Sequence, residues 1–306
     1  MKILVTGGAG FIASHVVDAF VNAGHDVAIV DDLSTGKREN VNPRARLYVL
    51  DLRDSGLAQV FAEWKPDVVS HHAAKASVRE SMVEPVLYAD VNISGGVKLL
   101  EMCRRFGVRK IIYASTGGAL YGDPQYLPAD EAHPIGPLDP YGVSKAALEY
   151  YLPIYHQQHG VAFTTLRYAN IYGPRQDPYG EAGVVAIFSR RMLAGEQAII
   201  NGNGEQERDF VYVGDVAQAN LLALDRGDGG TFNLGTGIGT SINDLFARLK
   251  AITGYTLPDA HGPPKAGEAF KVYLQADKAR RELGWQPTVD LDRGLRLTVD
   301  YFRTRG

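Results

Sequence analysis

Met1-Lys-Ile-Leu-Val-Thr6 is a short apolar run rich in branched side chains, which predicts a buried strand. Gly7-Gly-Ala-Gly10-Phe-Ile-Ala13 interrupts it. From Ser14 to Ala23 the apolar period lengthens, and Val16, Val17, Phe20 and Val21 fall on one helical face that Gly24 ends. His25–Val30 is apolar again and runs into Asp31-Asp32. Similar runs at Leu47–Leu50, Val68–His71, Lys110–Ala114, Ala162–Arg167 and Thr231–Leu234 predict further strands, several of them separated by helical patterns such as Val97–Phe106. This alternation predicts an α/β fold: a doubly wound parallel sheet covered on both faces.

The pattern changes after about residue 170. Longer glycine- and proline-rich loops dominate, at Tyr172–Gly180, Asn201–Gly204 and His261–Gly267, with helical patterns at Val184–Ala194 and Ile242–Thr253 between them. The expected division is therefore a larger domain of residues 1–170 plus about 211–235, and a smaller discontinuous α/β lobe of about 171–210 and 236–306. Trp285, after Leu283-Gly284, is expected to pack the C-terminal helix, and Cys103 to lie in the core.

The strand–glycine–helix opening is the setting of a dinucleotide-binding motif. Gly7 suits the tight turn, and Gly10 lets backbone amides approach a pyrophosphate at the positive end of the helix. Asp31, about twenty residues beyond the glycines, is placed to accept from ribose hydroxyls and to repel a 2′-phosphate. That favours NAD over NADP, with Lys37 and Arg38 nearby as the opposing feature. Asp51-Leu52, Ala73-Ala74-Lys75 and Ser115-Thr116-Gly117-Gly118 end later strands and face the same crevice. Asn92 reads as a helix cap or as a buried bridge between loops. Tyr141 and Lys145 are one helical turn apart, so a lysine cation is expected to favour the tyrosinate.

Length and charge agree with an enzyme of this kind. The chain has 306 residues, 45% of them hydrophobic, and a formal net charge of −3 that gives no footprint for nucleic acid. No apolar run spans a membrane, and the single cysteine, Cys103, favours a reducing cytoplasm. No metal-ligand cluster is evident, and the adjacent His71 and His72 would point to opposite faces of a strand.

Together, Thr6-Gly-Gly-Ala-Gly-Phe-Ile, Asp31, Asp51-Leu52, His72-Ala-Ala, Ser115-Thr116, Tyr141-x-x-x-Lys145, Arg167-Tyr-Ala-Asn170 and Arg208-Asp-Phe-Val-Tyr-Val resemble the extended short-chain dehydrogenase/reductase superfamily. Within its nucleotide-sugar branch the chain is most similar to the bacterial, thermophile-type UDP-glucose (UDP-galactose) 4-epimerases. The resemblance implies a Rossmann-type domain holding NAD, a lobe holding a UDP-sugar, and a homodimer formed through the Tyr141 helix and the helix near 91–106. It implies that Phe11, Ile12, Asp32, Ser34, Thr35, Gly36, Tyr168 and Ala169 join the cofactor residues above, with Asn92 and Ser115. It implies catalysis by Tyr141, Lys145 and Thr116, and substrate contacts from Thr116, Gly117, Tyr141, Asn170, Gly183, Val184, Ile200, Arg208, Lys265 and Glu268.

Three positions depart from the usual family pattern. The serine column reads Gly117; Ser115 and Thr116 carry the other suitable hydroxyls, and Thr116 is the one expected to serve in catalysis. The C-terminal phosphate-clamping arginine reads Lys265, which keeps charge but loses the bidentate fork. A pocket position reads Val272, small enough to suggest room for N-acetylated sugars. Dehydratases and uronate decarboxylases carry acids where this chain has Gly117 and Gly118. A UDP-glucuronate 4-epimerase stays open through Lys75, Arg79 or Arg175, as do another nucleotide-sugar epimerase or reductase and a catalytically silent NAD-binding sensor.

Overall fold

The computed structural model describes residues 1–179, 183–264 and 269–304. Along the chain the strands are β1 (Lys2–Thr6), β2 (Asp26–Asp31), β3 (Arg46–Val49), β4 (Val68–His71), β5 (Lys110–Thr116) and β6 (Ala162–Tyr168). There follow the short β7 (Asn170–Tyr172), β8 (Ile199–Asn201), β9 (Glu207–Arg208) and β10 (Phe210–Tyr212), then β11 (Gly230–Leu234), β12 (Thr240–Ser241), β13 (Ala260–Gly262) and β14 (Lys271–Val272). Seven of these form one sheet in the order β11-β6-β5-β4-β1-β2-β3, with every neighbouring pair parallel.

Branched apolar residues make these strands because both faces are buried. On one face Val16, Val17 and Phe20 of the helix Phe11–Asn22 meet Val216 and Ala219 of the helix Val213–Leu222. On the other, Leu99 and Leu100 of Gly95–Arg105 and Leu148 and Leu152 of Pro140–His159 cover Val69, Ile111 and Tyr113. Each such side chain contributes about 1.5–3 kcal/mol by leaving water. The result is a doubly wound, Rossmann-type α/β fold.

All seven sheet strands stand where the apolar runs place them. β5 and β6 continue farther than expected, to Thr116 and Tyr168, because these two residues pair in register at the crevice. Trp285 does not pack on the C-terminal helix Leu291–Arg303. It lies in the core over Val213–Leu222 and donates its indole N–H to Asp215 O at 2.8 Å.

Beyond Asn170 a third apolar cluster gathers Tyr172, Phe188, Ile200, Phe210, Phe246, Leu295 and Val299 around the helices Val184–Leu193, Ile242–Thr253 and Leu291–Arg303. The helix Phe11–Asn22 is clasped to the segment that follows β7. His15 Nε2 lies 2.9 Å from Pro174 O, and Arg175 pairs with Asp18 at 2.7 Å.

Candidate active site

The order of the sheet reverses between β1 and β4, and the two loops leaving these strands touch there. Gly7 has φ +72°, and a Cβ on it would lie 2.8 Å from Ala73 N, so only glycine fits. Gly10 leads into the helix Phe11–Asn22, whose first turn carries no acid and no side-chain cap. Its amides, at Phe11 and Ile12, therefore present an uncapped positive end to the crevice.

Asp31 is buried and accepts from Ala9 N at 2.9 Å and Leu33 N at 2.8 Å, binding the glycine loop to the loop after β2. Burial pushes its carboxyl above the usual range, against these hydrogen bonds. Gly36 leans on the same carboxylate, where a Cβ would stand 2.6 Å from Oδ1. Asp32 is exposed and organises a turn, taking the N–H and hydroxyl of Ser34, while Thr35 is exposed beside it. Asp51 is gripped by Arg53, with Leu52 buried next to it. An uncapped helix start beside a buried carboxylate fits a dinucleotide, the first for the diphosphate and the second for a ribose diol.

Across the crevice, Ala73 and Ala74 are half-buried. Asn92 is the bridge: it accepts from Lys75 N at 2.8 Å and donates to Lys75 O at 2.9 Å and to Ser144 Oγ at 2.8 Å. Ser144 in turn donates to Tyr141 O at 2.7 Å. The loop after β4 is thus tied to the helix that carries Tyr141.

That helix, Pro140–His159, starts cleanly because Asp139 caps Gly142 N at 2.8 Å and proline occupies the first turn. Gly142 brings it close to the Thr116 loop, since a Cβ there would lie 3.0 Å from Ala119 O. The Thr116 hydroxyl lies close enough to Tyr141 to favour its ionised form. Gly117 backs onto Leu274, and a Cβ would overlap Leu274 Cδ1. A serine there would require Leu274 to shift, whereas Thr116 already stands next to Tyr141. Gly118 opens the other way, its Cβ position 3.8 Å from both Thr116 Oγ1 and Asn170 Oδ1.

The electrostatics differ from the expectation. Burial pushes the Tyr141 phenol up to about 12, and the opposing influence is the nearby Thr116 hydroxyl. Lys145, 4% exposed, is itself pushed down to about 7 by burial, with Glu149 acting in the opposite direction. Its ammonium stands 4.4 Å over the Tyr113 ring. Desolvation thus outweighs the through-space help that the i, i+4 spacing suggested.

Of the remaining expected residues, Ser115 donates its hydroxyl to Glu149 at 2.5 Å and so is turned toward the helix. Tyr168 accepts from Asn220 at 2.9 Å, and Ala169 N donates to Leu234 O. Asn170 is half-buried beside Gly118, with its N–H on Asp209 O. Gly183, φ +117°, precedes Val184 at the start of Val184–Leu193. Ile200 is buried in the apolar cluster of that region. Arg208 pairs in register with Val272, and its guanidinium donates to Glu207 O and Phe270 O. Val272 is buried with Tyr121, Ala129 and Leu274. Lys265 and Glu268 lie outside the described residues.

Sequence reasoning missed Glu149, Tyr113 and Ser144. Glu149 was signalled by its position, one turn beyond Lys145 on the same helix. His71 stacks on Tyr113 and His72 lies near Tyr168, on opposite sides of β4 as alternation requires. Among the described residues there is no group of three or more metal-binding side chains, and no helix is long and apolar enough to cross a membrane.

Residues 3–235 match the model of the NAD dependent epimerase/dehydratase family. A UDP-glucose 4-epimerase of Mycolicibacterium smegmatis is 42% identical, with 100% of this chain and 99% of that protein covered. A crystal structure of the UDP-glucose 4-epimerase of Thermotoga maritima with UDP-glucose is 50% identical and superposes with a TM-score of 0.98, covering 100% of this chain and 99% of the other. The Thermus thermophilus UDP-glucose 4-epimerase in complex with NAD is 46% identical with a TM-score of 0.95, and 99% of each chain is covered. On the family match and these full-length likenesses, the chain belongs to the NAD dependent epimerase/dehydratase family.

Proposed function

We propose that the chain interconverts UDP-glucose and UDP-galactose by inverting the sugar's C4 through a transient 4-keto sugar, using NAD that it retains. The observation that carries this reading is the placing of the Thr116 hydroxyl next to Tyr141 and beside Gly118, where the loop offers a hydroxyl pair and no adjacent acid. When bound, NAD supplies the reversible hydride chemistry. Tyr141 takes the proton of the 4-hydroxyl and later returns it, with Thr116 aligning the sugar oxygen. Lys145 holds the nicotinamide ribose. With glycine at 117 and 118 no general acid stands ready to expel a neighbouring hydroxyl, so the keto sugar is reduced again.

Residues 1–170 with about 211–235 form the NAD-binding domain in this reading, and about 171–210 with 236–306 the lobe for the nucleotide-sugar. Glycine-loop residues Gly7, Gly10, Phe11 and Ile12 take the pyrophosphate, Asp31 the adenosine ribose, and Asn170 and Arg208 the UDP-sugar. A neutral hexose is favoured over a uronate because Lys75 and Arg175 are engaged by Glu80 and Asp18. Exposed Val143, Tyr150 and Ile154 on the helix that carries Tyr141 support a homodimer. The buried, unreactive Cys103 suits the cytoplasm.

The purified chain is expected to run as a dimer, to carry bound NAD and to convert UDP-galactose to UDP-glucose without added cofactor. A folded, NAD-containing sample that forms no 4-epimer overturns the reading. Thr116→Val keeps the shape but removes the hydroxyl, and is expected to lower kcat about 10²-fold. Adding Gly117→Ser to it restores nothing, because that side chain would meet Leu274. Recovery of turnover in the double variant would place the hydroxyl function at 117 instead.

A further inference from the structure

Behind Lys145 lies a buried ionic cluster that the reaction above does not use. Glu149 accepts the Ser115 hydroxyl at 2.5 Å and the Arg167 guanidinium through Nε at 3.1 Å and its terminal nitrogen at 2.6 Å. The side chains of this ion pair are each 7% exposed. Arg167 also donates to Tyr121 OH at 2.8 Å, and Tyr121 donates to Asn233 at 2.7 Å. Ser115 and Arg167 are register partners on β5 and β6, so one carboxylate pins the helix to two adjacent strands at once. One residue beyond Ser115 is Thr116, and one turn before Glu149 is Lys145.

We propose that Glu149, gripped by Ser115 and Arg167, is a positioning residue of this enzyme: it sets the height of the Tyr141–Lys145 helix over Thr116 and supplies the carboxylate that faces Lys145. This rests on the epimerase reading. The other titratable groups facing Lys145 give it no anion. Tyr141 on its own helix and Tyr113 on β5 are phenols held neutral by burial. His71 and His72 at the end of β4 are pushed down by burial and by Lys145 itself. Glu149 is the group that opposes the desolvation of Lys145. Ser115, whose hydroxyl completes the grip, acts in the same unit.

The sign follows from the charges. Lys145 works as a cation, so activity falls as pH rises through its titration. Glu149→Gln keeps the size of the side chain and removes its charge. The alkaline limb of kcat for UDP-galactose is then expected to move to lower pH, with kcat at pH 8 reduced about tenfold and KM unchanged, the equivalent of one pKa unit. Glu149→Asp retains the charge and is expected to return the limb toward its original position. NMR titration of the Lys145 side chain, which needs no turnover, is expected to move in the same direction as the limb. An unmoved limb and an unmoved Lys145 titration in Glu149→Gln, with kcat falling only as thermal stability falls, would overturn the proposal. If the unaltered chain turned over no UDP-galactose, the epimerase reading would fail while the titration still decided the Glu149–Lys145 coupling.

Discussion

Tyr141→Phe is expected to lower kcat for UDP-galactose by about 10²–10⁴-fold while leaving NAD bound. The phenol lies beside the Thr116 hydroxyl, and its ring meets Tyr88 edge-on at 6.5 Å, so phenylalanine keeps the packing and deletes only the proton-transferring group. The main-chain link from Tyr141 O to Ser144 and Asn92 does not involve the phenol and persists. Retained NAD, read from the absorbance of the purified variant, separates lost chemistry from a lost fold. A variant within about tenfold of the unaltered rate would show that another group moves the proton.

Lys145→Met is expected to combine a comparable loss of kcat with a gain in thermal stability. The ammonium is buried and pushed down to about 7, which means that folding discourages its charged form. Methionine fills similar volume without that cost, and Glu149 keeps Arg167 as its partner. The pH dependence has a definite sign. Because the folded pKa lies below the unfolded value of 10.5, the folded chain binds fewer protons between about 7 and 10.5. The cost of Lys145 is full below that window and fades as pH rises through it. The Met variant should therefore exceed the unaltered protein in Tm most clearly at acidic to neutral pH, with the gap closing as pH approaches 10. Equal melting temperatures across the range would show that Lys145 is well solvated in the folded chain.

Much of this was legible in the sequence where a residue's role is local. The glycine turn, the seven apolar runs and the i, i+4 spacing of Tyr141 and Lys145 each depend on neighbours in the chain. Gly142 and Gly118 are plain glycines in sequence. One lets a helix approach Ala119, and the other leaves space beside Thr116 and Asn170, and neither use is visible without the fold. Ser115 illustrates the same limit: strand alternation says that it points away from Thr116, but not that Glu149 and Arg167 wait there. The two- and three-residue strands beyond Asn170 are too short to carry a period. The direction of the Tyr141 shift was misjudged because charge spacing can be read from a sequence, whereas desolvation is a property of the packed crevice.

The clasp between the helix Phe11–Asn22 and the segment after β7 restricts how the molecule can move. Its two attachment points, His15 with Pro174 and Asp18 with Arg175, sit three residues apart on one helix, about 4.5 Å along its axis. Two points define a line, as two hinges define the swing of a door. Straight separation of the two sides would break both contacts together, whereas rotation about the line strains neither. A pivot of this kind would keep the segment after β7 against the helix start beside the glycine loop, with rotation about that line the direction these two contacts resist least.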